Sequence, residues 1–129
     1  MAKRTLGALQ HAIMRVLWHQ GEATSADVHA ALYEERGLAP TTIATMLRKM
    51  EDKGVVSHRR EGRLFVYTAT VSESSVQRTM VNEIVDRLFS GDPTALVSHL
   101  IEDTQLSADE LGRLREALEH AEEASHDRS

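Results

Sequence analysis

Apolar and polar side chains alternate with a helical period in the segment 40–53. The apolar ones recur every three or four residues and so share one helix face; they are Ile43, Met46, Leu47 and Met50. Pro40 suits a first helical turn, where its missing N–H costs nothing, and Gly54 suits the end of a helix. The pattern predicts a helix from about Thr41 to Lys53. Its opposite, exposed face is expected to carry Thr41, Thr45, Arg48 and Lys49.

Two short runs rich in β-branched and aromatic residues follow this helix. They span Val55 to Arg60 and Leu64 to Thr68, and residues 61–63 separate them. This spacing predicts a β-hairpin with a charged tip. A helix followed by a basic hairpin is typical of a winged helix-turn-helix, in which the helix enters the major groove of DNA and the hairpin contacts phosphates. The hairpin candidates are Arg59, Arg60 and Arg63, and a solvated hairpin without a ligand is the alternative interpretation.

The N-terminal part supplies two supporting helices. An apolar stripe from Leu6 to Leu17 predicts a core helix that ends near Gly21, with Trp18 packed against the core. A second, short helix is expected after an N-cap at Thr24 or Ser25 and should end at Arg36. The segment 3–5 before them is interpreted as a flexible lead-in, and phosphate contact by its two cations is the alternative.

From Ser72 the pattern changes to long amphipathic helices. One should run to about Ser90, a second should begin after an N-cap at Asp92, and a capping-box pattern at Ser107 begins a third. Because these narrow apolar faces have little bulk for a separate core, we expect them to be buried against a second copy of the chain. The expected dimer contacts are Val76, Met80, Ile84, Leu88, Leu96, Leu100, Leu111, Leu114 and Leu118.

The expected fold is therefore mainly α with a small β-hairpin. Residues 1–70 should form a winged-helix DNA-binding domain, residues 71–124 a three-helix dimerisation domain, and residues 125–129 a disordered tail. The 129-residue length agrees with one domain plus a small appendage, because domains most often have about 100–150 residues.

The charge distribution supports the same division. The net charge of −5 is made of +3 in residues 1–70 and −8 in residues 71–129. Phosphate attraction depends on the local basic surface, because charges are screened over about 8 Å at physiological salt. The acidic part is expected to face away from DNA.

Composition excludes several other kinds of protein. The chain has no cysteine, which excludes disulfides and thiolate metal sites, and no apolar run long enough for a membrane span. The sequence therefore predicts a cytoplasmic protein. The seven histidines lack the spacing of a zinc site, and neither a nucleophile elbow nor a phosphate-binding glycine loop is present, so we expect no metal, cofactor or enzymatic activity.

Four segments carry a resemblance to a known family. LGALQHAIMRVLW at 6–18, TTIATMLRKMEDKG at 41–54, EGRLFVY at 61–67 and LVSHLIEDTQLSADELGRLREAL at 96–118 resemble the penicillinase-repressor family, which includes the methicillin-resistance repressors. The resemblance implies a homodimer that represses transcription by binding a palindromic operator. It also implies that the helix pattern of the family that lies in the major groove falls on Thr42, Ile43, Thr45 and Arg48, and that the glycine-arginine of the wing falls on Gly62 and Arg63. Because the helical period favours Thr41 instead of Thr42 as the outward residue, both remain candidates.

The resemblance further implies how repression could be relieved. In the family, a membrane sensor protease that responds to a β-lactam leads to cleavage in the dimerisation domain, often at an Asn-Phe bond. The corresponding residues here are His99 and Leu100, so the sequence departs from that pattern. A copper-responsive branch carries C-terminal cysteines, and this chain has none. The alternative function is a winged-helix module that binds protein without specific DNA binding.

Overall fold

The computed structural model describes residues 6–127. The lead-in expected at residues 3–5 and the last two residues of the expected tail lie outside this range. The elements in chain order are α1 (Ala8–Gln20), β1 (Ala23–Thr24), α2 (Ser25–Arg36), α3 (Pro40–Lys53), β2 (Val56–Glu61), β3 (Leu64–Ala69), α4 (Glu73–Leu88), α5 (Pro93–Asp103) and α6 (Ala108–Asp127). The described residues up to Ile84 form one compact unit, and those from Val85 onward form a second.

The first unit is a winged helix, as the sequence predicts. Helices α1, α2 and α3 pack on a three-stranded antiparallel sheet of order β1-β3-β2. Its core consists of apolar side chains drawn from every one of these helices; those with no more than 1% of their surface exposed are Ile13, Met14, Leu17, Val28, Ile43, Leu47, Met50, Val55 and Val76. This core holds α3 against the sheet, so the helix and the hairpin of β2 and β3 are parts of one packed body.

The ends of the helices follow from local chemistry. The Thr24 hydroxyl accepts a hydrogen bond from the backbone N–H of Asp27, whose carboxylate accepts one from the N–H of Thr24, which is a reciprocal capping box at the start of α2. Helix α3 begins with Pro40 at its first position and ends at Gly54, whose φ of 87° lies in the left-handed region that favours glycine. These signals explain why the predicted bounds of α3 are met to within one residue.

One strand was not expected from the sequence. The two residues of β1 pair with β3 in the register Ala23 with Tyr67 and Thr24 with Val66. Two residues are too few to show a strand period, so the sequence predicts only a hairpin here. The strand fixes the start of α2 beside β3, so that Thr24, Ser25 and Tyr67 line one cleft.

Trp18 lies half-buried against the core, as expected. Its indole N–H donates to the backbone carbonyl of Val71 at 2.9 Å, which ties the end of α1 to the segment before α4. The indole N–H of Trp18 therefore has a hydrogen-bond acceptor, while the indole ring packs against apolar side chains of the core.

Val76 has a different place from the one predicted for it. Its side chain is fully buried in the core of the first unit, and Met80 packs against the same core one turn later. The apolar stripe of α4 therefore begins as monomer core. Only from Val81 onward does this helix present large apolar side chains to solvent, with Leu88 73% exposed.

The second unit contains α5 and α6. The Asp92 carboxylate accepts from the backbone N–H of Thr94 and caps α5, and Ser107 and Glu110 form the reciprocal capping box predicted for α6. Helix α6 continues to Asp127, whereas the sequence predicted a disordered tail from residue 125. No glycine or proline interrupts residues 113–127, so nothing in that stretch ends the helix earlier. Within residues 6–127, no helix is long and apolar enough to span a bilayer.

Candidate nucleic-acid interface

Helix α3 has one buried face and one polar face. Ile43, Leu47 and Met50 are buried in the core. The polar residues predicted to contact DNA are all exposed, and they are Thr41, Thr42, Thr45, Arg48 and Lys49. Both threonines at the start are accessible, so exposure leaves the choice between Thr41 and Thr42 open.

The hairpin of β2 and β3, with its turn at Gly62 and Arg63, is called the wing. Its strands pair from Val56 with Ala69 to Glu61 with Leu64, which leaves a two-residue turn. Gly62 has a φ of 64°, and a glycine at the first position of such a turn accommodates this conformation without steric cost. The tight turn leaves Arg63 exposed at the tip of the wing.

A cleft of about 330 Å³ lies between α3 and the wing. Arg48 and Arg63 both line it. Its other walls come from the start of α2, from α3 and from β3, and they are Thr24, Ser25, Ala26, Ala44, Leu64, Phe65 and Tyr67. The fold therefore brings two cations that are 15 positions apart in the sequence onto one concave surface. A concave surface of this charge suits a phosphate group.

Arg59 is occupied by carboxylates of the protein. Its guanidinium pairs with Glu22 across the sheet and with Glu61 at 2.7 Å on its own strand. The hydrogen bonds that Arg59 donates to Glu22, and the neighbouring negative charges, raise the pKa of Arg59 above its ordinary value. The charge on this arginine is thus largely balanced within the protein, unlike the sequence prediction of a simple phosphate contact.

Arg60 lies over an aromatic ring of the wing. Its guanidinium carbon lies 5.5 Å from the ring centroid of Phe65, which is within cation-π range. The side chain remains exposed. Such a contact restricts the side chain without neutralising its charge, so Arg60 keeps the positive charge that a phosphate contact requires.

Three polar contacts that the sequence did not indicate attach α3 to its surroundings. Gln10 on α1 accepts from Lys53 Nζ at 3.2 Å and donates to Met46 Sδ at 3.4 Å. His58 on β2 donates from Nδ1 to the carboxylate of Glu51 near the end of α3, at 2.7 Å and 2.8 Å to its two oxygens. The sequence does not predict these contacts, because no spacing pattern links residues 36 to 43 positions apart, or a residue of a strand with one of the preceding helix.

Tyr67 lies next to the pair formed by His58 and Glu51, with its ring centroid 5.7 Å from that of His58. Burial raises the pKa of the Tyr67 hydroxyl, and the negative charge of Glu51 raises it further, whereas the charge of Arg48 lowers it. The phenol therefore stays neutral well above physiological pH. It forms part of the cleft floor as a packed, uncharged side chain.

The residues expected at a dimer interface remain largely exposed, Val76 and Met80 excepted. Helix α5 has no buried residue among those described. Leu96 is partly buried, and the exposed members of the predicted set are Ile84 (43%), Leu88 (73%), Leu100 (49%), Leu111 (43%), Leu114 (37%) and Leu118 (58%). Where such side chains form a contiguous patch, they mark an interaction surface.

The residues named as a cleavage position lie in α5. His99 is exposed and its Nδ1 lies 3.1 Å from the Asp103 carboxylate one turn later, while its ring lies 5.9 Å from that of Phe89. Leu100 is half-exposed. Among residues 6–127, no group of three His, Asp or Glu side chains is arranged to hold a metal ion.

Comparisons with known proteins agree with this architecture. A family model described as "Penicillinase repressor" matches residues 6–120. The chain is 32% identical over 107 residues to the penicillinase repressor of Bacillus licheniformis, covering 83% of this chain and 84% of that protein. It is 36% identical over 125 residues to the transcriptional regulator BlaI of Mycobacterium tuberculosis (strain CDC 1551 / Oshkosh), covering 95% and 89%.

A solved structure shares the fold of the first unit. The solution structure of the DNA-binding domain of the repressor BlaI superposes with a TM-score of 0.52 at 32% identity, covering 57% of this chain and 89% of that domain. The match of the family model over most of the chain confirms the resemblance seen in the sequence. The chain belongs to the penicillinase repressor family.

Proposed function

We propose that this chain is a homodimeric transcriptional repressor that reads a palindromic DNA operator with α3 and holds the adjacent backbone with the wing. The observation that carries the proposal is the shared cleft of Arg48 and Arg63, which joins the exposed face of α3 to the tip of the wing. A family relationship with named repressors supports it. The chain is accordingly a DNA-binding regulator and not an enzyme. A DNA operator as target also agrees with the cytoplasmic location expected from the sequence.

The polar residues divide between two kinds of contact. Thr45 and Arg48 lie in the middle of the exposed face of α3 and are assigned to base edges in the major groove, where arginine pairs with guanine in a bidentate manner. Arg63 at the tip and Arg60 beside it are assigned to phosphates. Lys49 and the two threonines at the start of α3 flank the central pair. Arg59 is assigned a supporting role, because Glu22 and Glu61 already hold its guanidinium.

The apolar surface of the later helices supports the homodimer. Large exposed side chains repeat along α4, α5 and α6, as at Leu88, Leu100 and Leu118. A second copy of the chain offers the same surface, and a two-fold dimer would present two recognition helices to a two-fold operator. Half-sites one helical turn apart would place them roughly 34–36 Å apart.

We further propose that repression is relieved by cleavage in α5, after a membrane sensor protease has responded to its signal. The bond between His99 and Leu100 lies on an exposed helix, which supports access by a second protein. Because a protease needs an extended chain, α5 must unwind locally before cleavage. Immunoblotting of the producing cells after β-lactam exposure is expected to show a shortened chain, and a full-length chain throughout induction would contradict this part of the proposal.

The repressor proposal is tested by DNA binding. A labelled duplex from the region upstream of the gene for this chain is expected to bind more tightly than a scrambled duplex of equal length, with both affinities falling as salt rises. A wild-type chain that binds neither duplex at low salt would contradict the proposal. It would instead favour the alternative, a winged-helix module that binds protein.

A further inference from the structure

His58 makes a side-chain contact between the wing and the last turns of α3. It lies in β2, and its Nδ1 donates to both carboxylate oxygens of Glu51, at 2.7 Å and 2.8 Å. The two side chains are 27% and 31% exposed, so the bond is partly shielded from solvent. A hydrogen bond to a charged acceptor is stronger than one between neutral groups, and shielding strengthens it further.

Aromatic rings hold the other side of His58. Its ring stacks on Phe65 with centroids 4.1 Å apart and planes 12° apart, and it meets Tyr67, its partner in the strand register, at 5.7 Å. An imidazole restrained by a carboxylate at one edge and a stacked ring on one face has little freedom to rotate. The contact therefore fixes both strands of the wing to α3.

Both partners of His58 lie close to a cleft arginine in the chain. Phe65 lies two residues from Arg63 and lines the cleft that contains Arg63 and Arg48. Glu51 lies three residues after Arg48 on α3. If His58 is removed, the wing keeps its own strand pairing but loses this link to the helix.

We propose that His58 is a positioning residue for DNA binding: by joining Glu51 on α3 to Phe65 in the wing, it holds Arg63 at a fixed distance from Arg48 so that both reach one duplex. The inference rests on the proposed function, and it adds a residue that the DNA itself need not touch. In this proposal, His58 affects DNA binding only through the position of Arg63. Changes at the two positions must therefore be non-additive.

The experiment is a double-mutant cycle with His58→Ala and Arg63→Ala. Binding of each full-length variant to the upstream duplex is measured as a function of salt. Arg63→Ala is expected to make the salt slope shallower by about 0.9, the value for one phosphate contact. His58→Ala should produce a comparable change, and the double variant should bind no more weakly than Arg63→Ala alone. Effects of the two substitutions that multiply, or a wild-type slope for His58→Ala, would overturn the proposal.

Ser57→Ala is the matched control. Ser57 lies next to His58 on the same strand, is exposed, and lies within hydrogen-bond distance of the Thr68 hydroxyl at 3.3 Å. Its loss is expected to leave affinity and slope unchanged and to add independently to Arg63→Ala. His58→Phe is a second variant in case His58→Ala unfolds, because it keeps the stacked ring and removes only the donor. It is expected to fold like the wild type with a shallower slope, and an unchanged slope would contradict a role for the Glu51 bond.

A measurement without DNA separates this inference from the proposed function. In the free protein, the ¹⁵N heteronuclear NOE of Gly62 and Arg63 is expected to fall in His58→Ala and to stay at the wild-type value in Ser57→Ala. If wild-type protein binds no DNA, the proposed function fails while this result still tests the positioning. An NOE in His58→Ala equal to that of the wild type would overturn the inference even if DNA binding is confirmed.

Discussion

Arg48→Ala is the most informative substitution at the proposed interface. Arg48 is exposed on the polar face of α3 and shares the cleft with Arg63, so its loss leaves the core of the first unit intact. A bidentate contact between arginine and a guanine is worth about 1–3 kcal/mol of discrimination. That corresponds to a loss of about 5- to 150-fold on the operator, since 1.4 kcal/mol is a factor of ten.

The effect on nonspecific DNA should be much smaller. On a scrambled duplex, Arg48 contributes only its charge, so the expected change is at most that of one phosphate contact, about 0.9 in the salt slope. The specificity ratio between the two duplexes is therefore expected to fall for Arg48→Ala. For Arg63→Ala, which is assigned to phosphate, both affinities should fall together and the ratio should stay the same.

Fluorescence anisotropy on the upstream and scrambled duplexes at two or more salt concentrations provides the measurement. Arg15→Ala is a suitable control, since it removes the same charge from a different cleft of the same unit, between α1 and α2. It is expected to preserve the ratio. Equal losses on both duplexes for Arg48→Ala would refute the assignment of this residue to base reading.

Three further predictions concern stability and assembly. Trp18→Phe leaves the Val71 carbonyl without its donor and should lower the free energy of unfolding by about 1–2 kcal/mol; an unchanged urea midpoint would contradict that role. Hydrogen bonds from the Ser107 backbone and hydroxyl lower the pKa of Glu110, so they stabilise the start of α6 above the unfolded-state pKa. That stability should be lost as the pH falls through the lowered pKa, whereas Glu110→Gln should show no such dependence in helical circular dichroism. Leu88→Glu should convert a dimer to a monomer in sedimentation at micromolar concentration, and a dimeric mass for this variant would contradict the proposed interface.

Where local signals are strong, the sequence predicts the helices well. The capping boxes at Thr24 and Ser107 and the pairing of Pro40 with Gly54 each place a helix end within one residue. These signals are chemical and local, so they can be identified in the sequence without knowledge of the fold. The end of α6 is predicted too early, at residue 124, because no such signal marks it.

Long-range pairing limits what the sequence can predict. The strand β1 has two residues and exists only because β3 lies beside it. Val76 belongs to a regular helical stripe, and only the packing of α4 on the first unit shows that this part of the stripe is monomer core. A hydrophobic period shows which face is buried and does not identify the partner.

The same reasoning applies to the candidate site. The exposed polar face of α3 follows from its period, and the structure leaves all four residues predicted from that period exposed, as well as Thr42. The different environments of Arg59 and Arg63 do not follow from sequence, because Glu22 reaches Arg59 from 37 positions away. His58 was likewise one histidine among seven until the fold placed it on Glu51 and Phe65.

The central claim is specific binding of a dimer to operator DNA. Its most direct test is titration of wild-type protein against the upstream duplex and a scrambled duplex at two salt concentrations, with the mass of the complex read by native mass spectrometry. We predict two copies of the chain on one upstream duplex, bound at least about 10³-fold more tightly than the scrambled one. Equal affinity for the two duplexes, or one copy bound at saturation, would contradict the account.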